Sequence, residues 1–121
     1  MSSKVLVVDD SGTMRKIIIR ALNAVGFSDT VEASDGNEAL ELFQKTPIGL
    51  VLTDWNMPNK SGIELTRDIR KLGSKVPIFM VTTEAEKKNV VEAIQAGVND
   101  YLVKPFTQEV LQQKIEKCTK A

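Results

Sequence analysis

Leu50-Val51-Leu52-Thr53-Asp54-Trp55-Asn56-Met57-Pro58 is the stretch whose reading decides the fold. Leu50 to Asp54 is a short, nearly all-apolar run that stops on a carboxylate. With helical patterns on both sides, such a run suits a strand buried on both faces of a parallel sheet. Asp54 then stands at the carboxyl end of a central strand, where open α/β sheets bind their ligands. Pro58 cannot continue the strand and Asn56 favours a turn, so the chain must leave the sheet just past Asp54. Taken alone, Asp54 reads equally well as a polar strand terminator; a pair of carboxylates elsewhere separates the two readings.

That pair lies in Lys4-Val5-Leu6-Val7-Val8-Asp9-Asp10, a second apolar run ending in acid. Adjacent carboxylates at a strand end make poor packing residues, because buried like charges repel. Ser11 can cap the following helix, in which Met14, Ile17, Ile18, Ala21, Leu22 and Val25 mark a 3.6-residue period up to Gly26. Thr30-Val31-Glu32-Ala33 predicts a short strand. Asp35 caps a helix with Glu38 three residues on; it carries Ala39, Leu40 and Phe43 inward and stops before Pro47. Beyond the central strand, Ser61 and Glu64 form a capping box, Leu65, Ile69 and Leu72 a stripe, and Gly73 the stop. Pro77-Ile78-Phe79-Met80-Val81-Thr82 is a third apolar run, followed by a helix with Val90, Ala93 and Ile94 that ends at Gly97. Tyr101-Leu102-Val103-Lys104 is a fourth, before Pro105. A last helix from about Thr107 is expected to bury Val110, Leu111, Ile115 and Cys118. Strand and helix alternate five times across short connections, predicting an α/β fold: a doubly wound, five-stranded parallel sheet with five helices.

Composition narrows the function. The 121 residues suit a single domain, 1–121, with no room for an output domain after the last helix. Sixteen basic residues balance sixteen acidic ones, so bulk charge argues for neither nucleic acid nor membrane as a partner. Met1-Ser2-Ser3 leads straight into a strand with no signal peptide, and Cys118 is the single cysteine; both point to a cytoplasmic protein. There is no histidine, which removes Ser-His and Cys-His catalysis and histidine-ligated zinc, and means the chain carries no phosphohistidine of its own.

The predicted strands end in Asp9 and Asp10, Asp54, Thr82 and Lys104, all at one edge of the sheet. Two carboxylates about 5 Å apart repel by about 3 kcal/mol at an effective dielectric near 20. Lys104 offsets one negative charge, and a divalent cation offsets the others. An all-oxygen site with open positions suits Mg²⁺, which keeps waters and accepts phosphate oxygens.

Val7-Val8-Asp9-Asp10-Ser11, Thr53-Asp54-Trp55-Asn56-Met57-Pro58, Met80-Val81-Thr82 and Tyr101-Leu102-Val103-Lys104-Pro105-Phe106 together resemble the receiver domain of two-component response regulators. The likeness is strongest to the family's stand-alone chemotaxis members and spans essentially the whole chain. It implies strand order 2-1-3-4-5 and a phosphoacceptor switch rather than an enzyme. Asp54 would attack the phosphohistidine of a histidine kinase to give an aspartyl phosphate. Mg²⁺ would be held directly by Asp10, Asp54 and the backbone carbonyl of Asn56, with Asp9 acting through water. Lys104 would balance phosphoryl charge from a cis Lys104–Pro105 peptide, and the Thr82 hydroxyl would donate to the phosphoryl group. Asn56 and Glu84 would flank the water that later removes it. Tyr101 would turn inward on activation, reshaping a partner face made of Lys87, Val90, Ile94, Tyr101, Val103 and Lys114. The resemblance implies a monomer acting on a downstream protein, with the flagellar motor switch among the candidates, and a phosphatase; a phosphorelay or other signalling receiver is the alternative.

Rival readings fit less well. A flavodoxin-type carrier shares the architecture, and Ser11-Gly12-Thr13 faintly resembles a phosphate loop, but Asp9 and Asp10 would repel the flavin phosphate and aromatic content is only 5%. Hydrolases with an aspartate nucleophile place it after the first strand, with a second acid two residues on. A receiver that signals without phosphorylation would not need the full constellation. Trp55 can be a loop residue that only reports on the site, and Lys87 and Lys88 a solvated helix start.

Overall fold

The computed structural model describes residues 4–83 and 89–119. In chain order the elements are β1 (Lys4–Val8), α1 (Gly12–Ala24), β2 (Thr30–Ala33), α2 (Gly36–Lys45), β3 (Ile48–Asp54), α3 (Gly62–Lys71), β4 (Ile78–Thr82), α4 (Val90–Ala96), β5 (Asp100–Val103) and α5 (Gln108–Thr119). The five strands form one parallel sheet in the order β2-β1-β3-β4-β5. Fold class and strand order are therefore those expected. β3 begins two residues before Leu50, at Ile48, and β5 runs from Asp100 to Val103, so that Lys104 follows the strand rather than ending it.

Local signals set the helix ends. Ser11 Oγ accepts from the Met14 amide, and an Asp35 carboxylate oxygen accepts from the Glu38 amide. That amide and the Asn59 side chain hold the Asp35 carboxyl below its ordinary range. Ser61 and Glu64 complete a capping box at α3. Gly97 closes α4 at φ +116°, a left-handed conformation that a Cβ would strain, and such a Cβ would also crowd the Arg70 side chain.

The core lies in two separate clusters, one on each face of the sheet. Because side chains alternate along a strand, Leu6 and Val8 of β1 join Val51, Ile78 and Met80 in one cluster, with Ile63, Leu65 and Ile69 of α3 and Ala93 of α4. Val5 and Val7 join Leu50, Leu52, Phe79, Val81 and Leu102 in the other, with Ile18 and Leu22 of α1 and Leu111 and Ile115 of α5.

Three expected core residues are exposed: Ile17 (48%), Leu72 (50%) and Val110 (38%). Ile17 and Val110 each precede a fully buried residue, Ile18 or Leu111, and adjacent helical positions are about 100° apart. Each is therefore turned off the core stripe. Ile17 instead lines a surface cavity of about 320 Å³ with Met14, Lys104, Pro105 and Phe106. Leu72 lies past the last residue of α3, where the stripe has run out. Cys118 is half-buried against the second cluster, and burial pushes its thiol upward. Among the described residues, no helix is long and apolar enough to cross a membrane.

Candidate functional site

The carboxyl edge of β1, β3 and β4 carries the site. Asp9 follows β1 directly; its amide donates to the Ala33 carbonyl at 3.1 Å, which extends the β1–β2 ladder by one bond. The side chain is 2% exposed and accepts from the Ser11 amide at 2.9 Å, so its direction is fixed. Asp10, one residue on, is exposed. Asp54 ends β3; its Oδ1 accepts from the Trp55 amide at 2.9 Å and from Lys104 Nζ at 3.2 Å. Lys104 Nζ also lies 3.5 Å from Asp9 Oδ2, bridging two of the acids. Its own amide donates to the Thr82 carbonyl at 2.7 Å, and the Lys104–Pro105 peptide is cis. Asp9, Asp10 and Asp54 can each offer one carboxylate oxygen, all within 4.8 Å of one another.

Electrostatics at this edge are unbalanced. Burial, then the charge of Asp9, raises the Asp54 carboxyl above its ordinary range, and Lys104 and the Trp55 amide only partly oppose this. Burial alone would lower the Lys104 ammonium, but the charges and hydrogen bonds of Asp54 and Asp9 together hold it above its usual value. One ammonium thus serves two carboxylates, and Asp10 adds a third. The donor set is hard oxygen, crowded and under-neutralised, which fits Mg²⁺. A second feature fits a phosphoryl group. Among the described residues, Thr82 Oγ1 is the buried side-chain polar atom left without a hydrogen-bond partner. A buried hydroxyl without a partner costs on the order of 1–3 kcal/mol, which an incoming acceptor oxygen would recover.

The β3–α3 loop that frames Asp54 is anchored at several points. Asn59, at φ +71°, donates to Asp35 at 2.8 Å, the Gly36 amide donates to the Lys60 carbonyl at 3.2 Å, and Lys60 pairs with Asp68. The Gly62 amide donates to the Trp55 carbonyl at 2.9 Å, so α3 starts hard against the head of β3. A Cβ on Gly62 would overlap the carbonyl oxygen of Asp54. Only glycine allows that approach.

Asp9, Asp10, Asp54, Thr82 and Lys104 are thus gathered as the spacing predicts. Asn56 sits exposed in the loop two residues beyond Asp54. Glu84, Lys87 and Lys88 lie outside the described residues. On the expected partner face, Ile94 is exposed and Val90, Tyr101 and Val103 are half-buried. Tyr101, Val103 and Lys114 line a cavity of about 310 Å³ that also takes in Phe106 and Val110. Lys114 Nζ lies 4.6 Å from the centre of the Tyr101 ring and 3.0 Å from Asp100 Oδ1, holding ring and acid together. Gly62, Asp100 and Arg15, which donates to the Asp9 carbonyl, are site neighbours that sequence reading passed over. For Gly62 a signal existed: a glycine immediately after a helix cap, where many residues would serve.

A parallel sheet in this order, with acids at the heads of β1 and β3, a hydroxyl at β4 and a lysine just past β5, defines the receiver domains of two-component signalling. The family described as the response regulator receiver domain matches residues 5–116, and the chain belongs to it. Curated relatives include the chemotaxis protein CheY of Pseudomonas aeruginosa, 48% identical over 116 residues and 94% of each chain. The chemotaxis protein CheY homolog of Campylobacter jejuni is 49% identical over 93% of this chain and 89% of its own. Among solved structures, the chemotaxis response regulator CheY4 of Vibrio cholerae superposes with a TM-score of 0.86 at 34% identity, over 97% of this chain and 98% of its own. Receiver domains are signalling switches rather than classical enzymes.

Proposed function

We propose that Asp54 is the phosphoacceptor of a Mg²⁺-dependent switch that takes its phosphoryl group from a kinase phosphohistidine. The observation that carries this reading is the Asp54 carboxylate at the head of β3, with Lys104 Nζ at 3.2 Å and two further acids in reach. A carboxylate oxygen of Asp54 forms the new bond to phosphorus as the bond to the donor histidine nitrogen breaks, and the departing imidazole takes up a proton. Phosphoryl transfer asks a protein chiefly for alignment and for charge balance on the equatorial oxygens. Asp10, Asp54 and the Asn56 carbonyl would hold the cation, with Asp9 reaching it through water. A bound Mg²⁺ neutralises phosphoryl oxygens and tethers the transferring group. Lys104 would share that load, and the ladder bond to Thr82 and the pairing with Asp9 keep its ammonium in place. Asn56 and Glu84 tune the attack of water that resets the switch.

The output step follows from Thr82. An acyl phosphate adds negative charge and acceptor oxygens, and the unpartnered Thr82 hydroxyl is free to donate to one of them. Drawing Thr82 towards Asp54 opens space beside β5, into which Tyr101 turns. The face of Val90, Ile94, Tyr101, Val103 and Lys114 then changes shape for a downstream protein. Relatives named as chemotaxis proteins support a role in chemotaxis, with the flagellar motor switch as the target class and a phosphatase acting on the acyl phosphate. The test is incubation with acetyl phosphate and Mg²⁺, read by intact mass. The parent should gain one phosphoryl group and Asp54→Asn none; equal labelling of both proteins would remove Asp54 as the acceptor.

A further inference from the structure

Arg15 stands in the first turn of α1, with its side chain 20% exposed, and does two things at once. Its Nη1 donates to the Asp9 backbone carbonyl at 2.6 Å, and its Nε donates to Glu32 Oε1 on β2 at 2.8 Å. The Asp9 carbonyl belongs to the peptide that joins Asp9 to Asp10, so the bond fixes the plane from which Asp10 springs. Asp10 needs such a fixture. Asp9 is buried and held through its own carboxylate, and Asp54 through two donors. The Asp10 side chain is exposed, and no hydrogen bond from another described residue aims it. Its direction is set by its backbone, and Arg15 is the side chain that clamps that backbone. Glu32 in turn holds the guanidinium so that its rigid fork presents one edge to the carbonyl.

We propose that Arg15 is a positioning residue for the cation site, setting the aim of Asp10 by holding the Asp9–Asp10 peptide from β2. This rests on the cation reading given above. The inference has a sign that separates it from simple electrostatics. Arg15 is a positive charge near a cation site, so removing its charge alone would tighten Mg²⁺ binding. Removing a clamp that orients a ligand loosens it, typically by 10- to 100-fold for groups that orient metal ligands.

The experiment is a Mg²⁺ titration of Trp55 fluorescence at fixed ionic strength, with Asp10→Asn giving the scale for outright loss of a ligand. Arg15→Ala should bind Mg²⁺ about tenfold more weakly than the parent. Arg15→Lys keeps the charge but not the fork, and should fall between the two. Glu32→Gln, which leaves Arg15 in place but weakens its anchor, should lose a few-fold, while thermal melts without metal show all these variants folded. Affinity of Arg15→Ala within twofold of the parent, or tighter, overturns the inference; if that variant does not fold, parental affinity in both Arg15→Lys and Glu32→Gln does so. A parent with no saturable response to Mg²⁺ overturns the cation reading itself and this inference with it.

Discussion

Replacing Gly62 by alanine probes how closely α3 is pressed against the strand that presents Asp54. The added Cβ would overlap the Asp54 carbonyl oxygen and lie 3.0 Å from Met80 Sδ and 3.2 Å from Met80 Cε. Met80 is fully buried and cannot swing away into solvent. The carbonyl belongs to a strand paired on both sides, with Asp54 in register with Val81 of β4. Relief must therefore come from moving the first turn of α3 outward by about 1 Å, the scale of a full van der Waals overlap. That motion stretches the 2.9 Å bond from the Gly62 amide to the Trp55 carbonyl and disturbs the Ser61–Glu64 capping box. Overpacking of this kind costs about 1–3 kcal/mol, and main chain as the obstacle puts the cost near 3. For a domain of this size Tm should fall by roughly 10 °C. Gly12→Ala is the matched control: its Cβ would meet nothing closer than Arg15 Nη2 at 3.5 Å, and a helix N-terminus gains slightly from alanine. Thermal unfolding followed by circular dichroism decides. A Gly62→Ala protein melting within about 2 °C of Gly12→Ala would show that the helix does not approach the strand this closely.

Two further outcomes follow from the charges and the orphan hydroxyl. Because burial and Asp9 raise the Asp54 carboxyl in the folded state, the metal-free fold binds that proton more tightly than the unfolded chain does. Its stability should fall as pH rises from about 4 through the raised value, so the Tm advantage of Asp54→Asn over the parent in EDTA should grow with pH and then level off; a difference flat from pH 4 to 8 would contradict the assignment. Thr82→Val removes a buried hydroxyl without a partner, so the unphosphorylated protein should gain about 1 kcal/mol. It should still accept a phosphoryl group at Asp54, yet the fluorine signal of a 3-fluorotyrosine label at Tyr101, the chain's single tyrosine, should no longer shift with beryllofluoride. A shift equal to that of the parent would uncouple Thr82 from Tyr101.

The strands could be read directly because a strand buried on both faces must be apolar throughout, as Val5 to Val8 and Leu50 to Leu52 are. Helix starts were legible for a similar reason: Ser11, Asp35 and Ser61 each satisfy amides that no other local group reaches. Stripe edges were not. Ile17, Leu72 and Val110 carry the same chemistry as their buried neighbours; the docking angle of the helix turns Ile17 and Val110 off the sheet, and the end of α3 leaves Leu72 beyond the stripe. The acids, Thr82 and Lys104 announced themselves as polar stops to apolar runs. Arg15 acts through a contact between elements distant in the chain, 17 residues separating the Arg15–Glu32 pair, and no local spacing encodes such a contact.

The two clusters that sandwich the sheet share no member, since the pleat sends neighbouring residues of each strand to opposite sides. A change of volume among Ile18, Leu22, Leu111 and Ile115 is absorbed under α1 and α5, and leaves Ile63, Leu65 and Ile69 beneath α3 as they were. Energetic effects across the sheet should then add with little coupling. For a lineage this is a form of insurance: α1 and α5 can be recast to suit one acquaintance while the α2–α3–α4 side keeps its older shape. β5, at the rim of the sheet, divides its side chains in the same way, Tyr101 packing with the first cluster and Leu102 with the second, so even the edge strand takes part in both halves of that bargain.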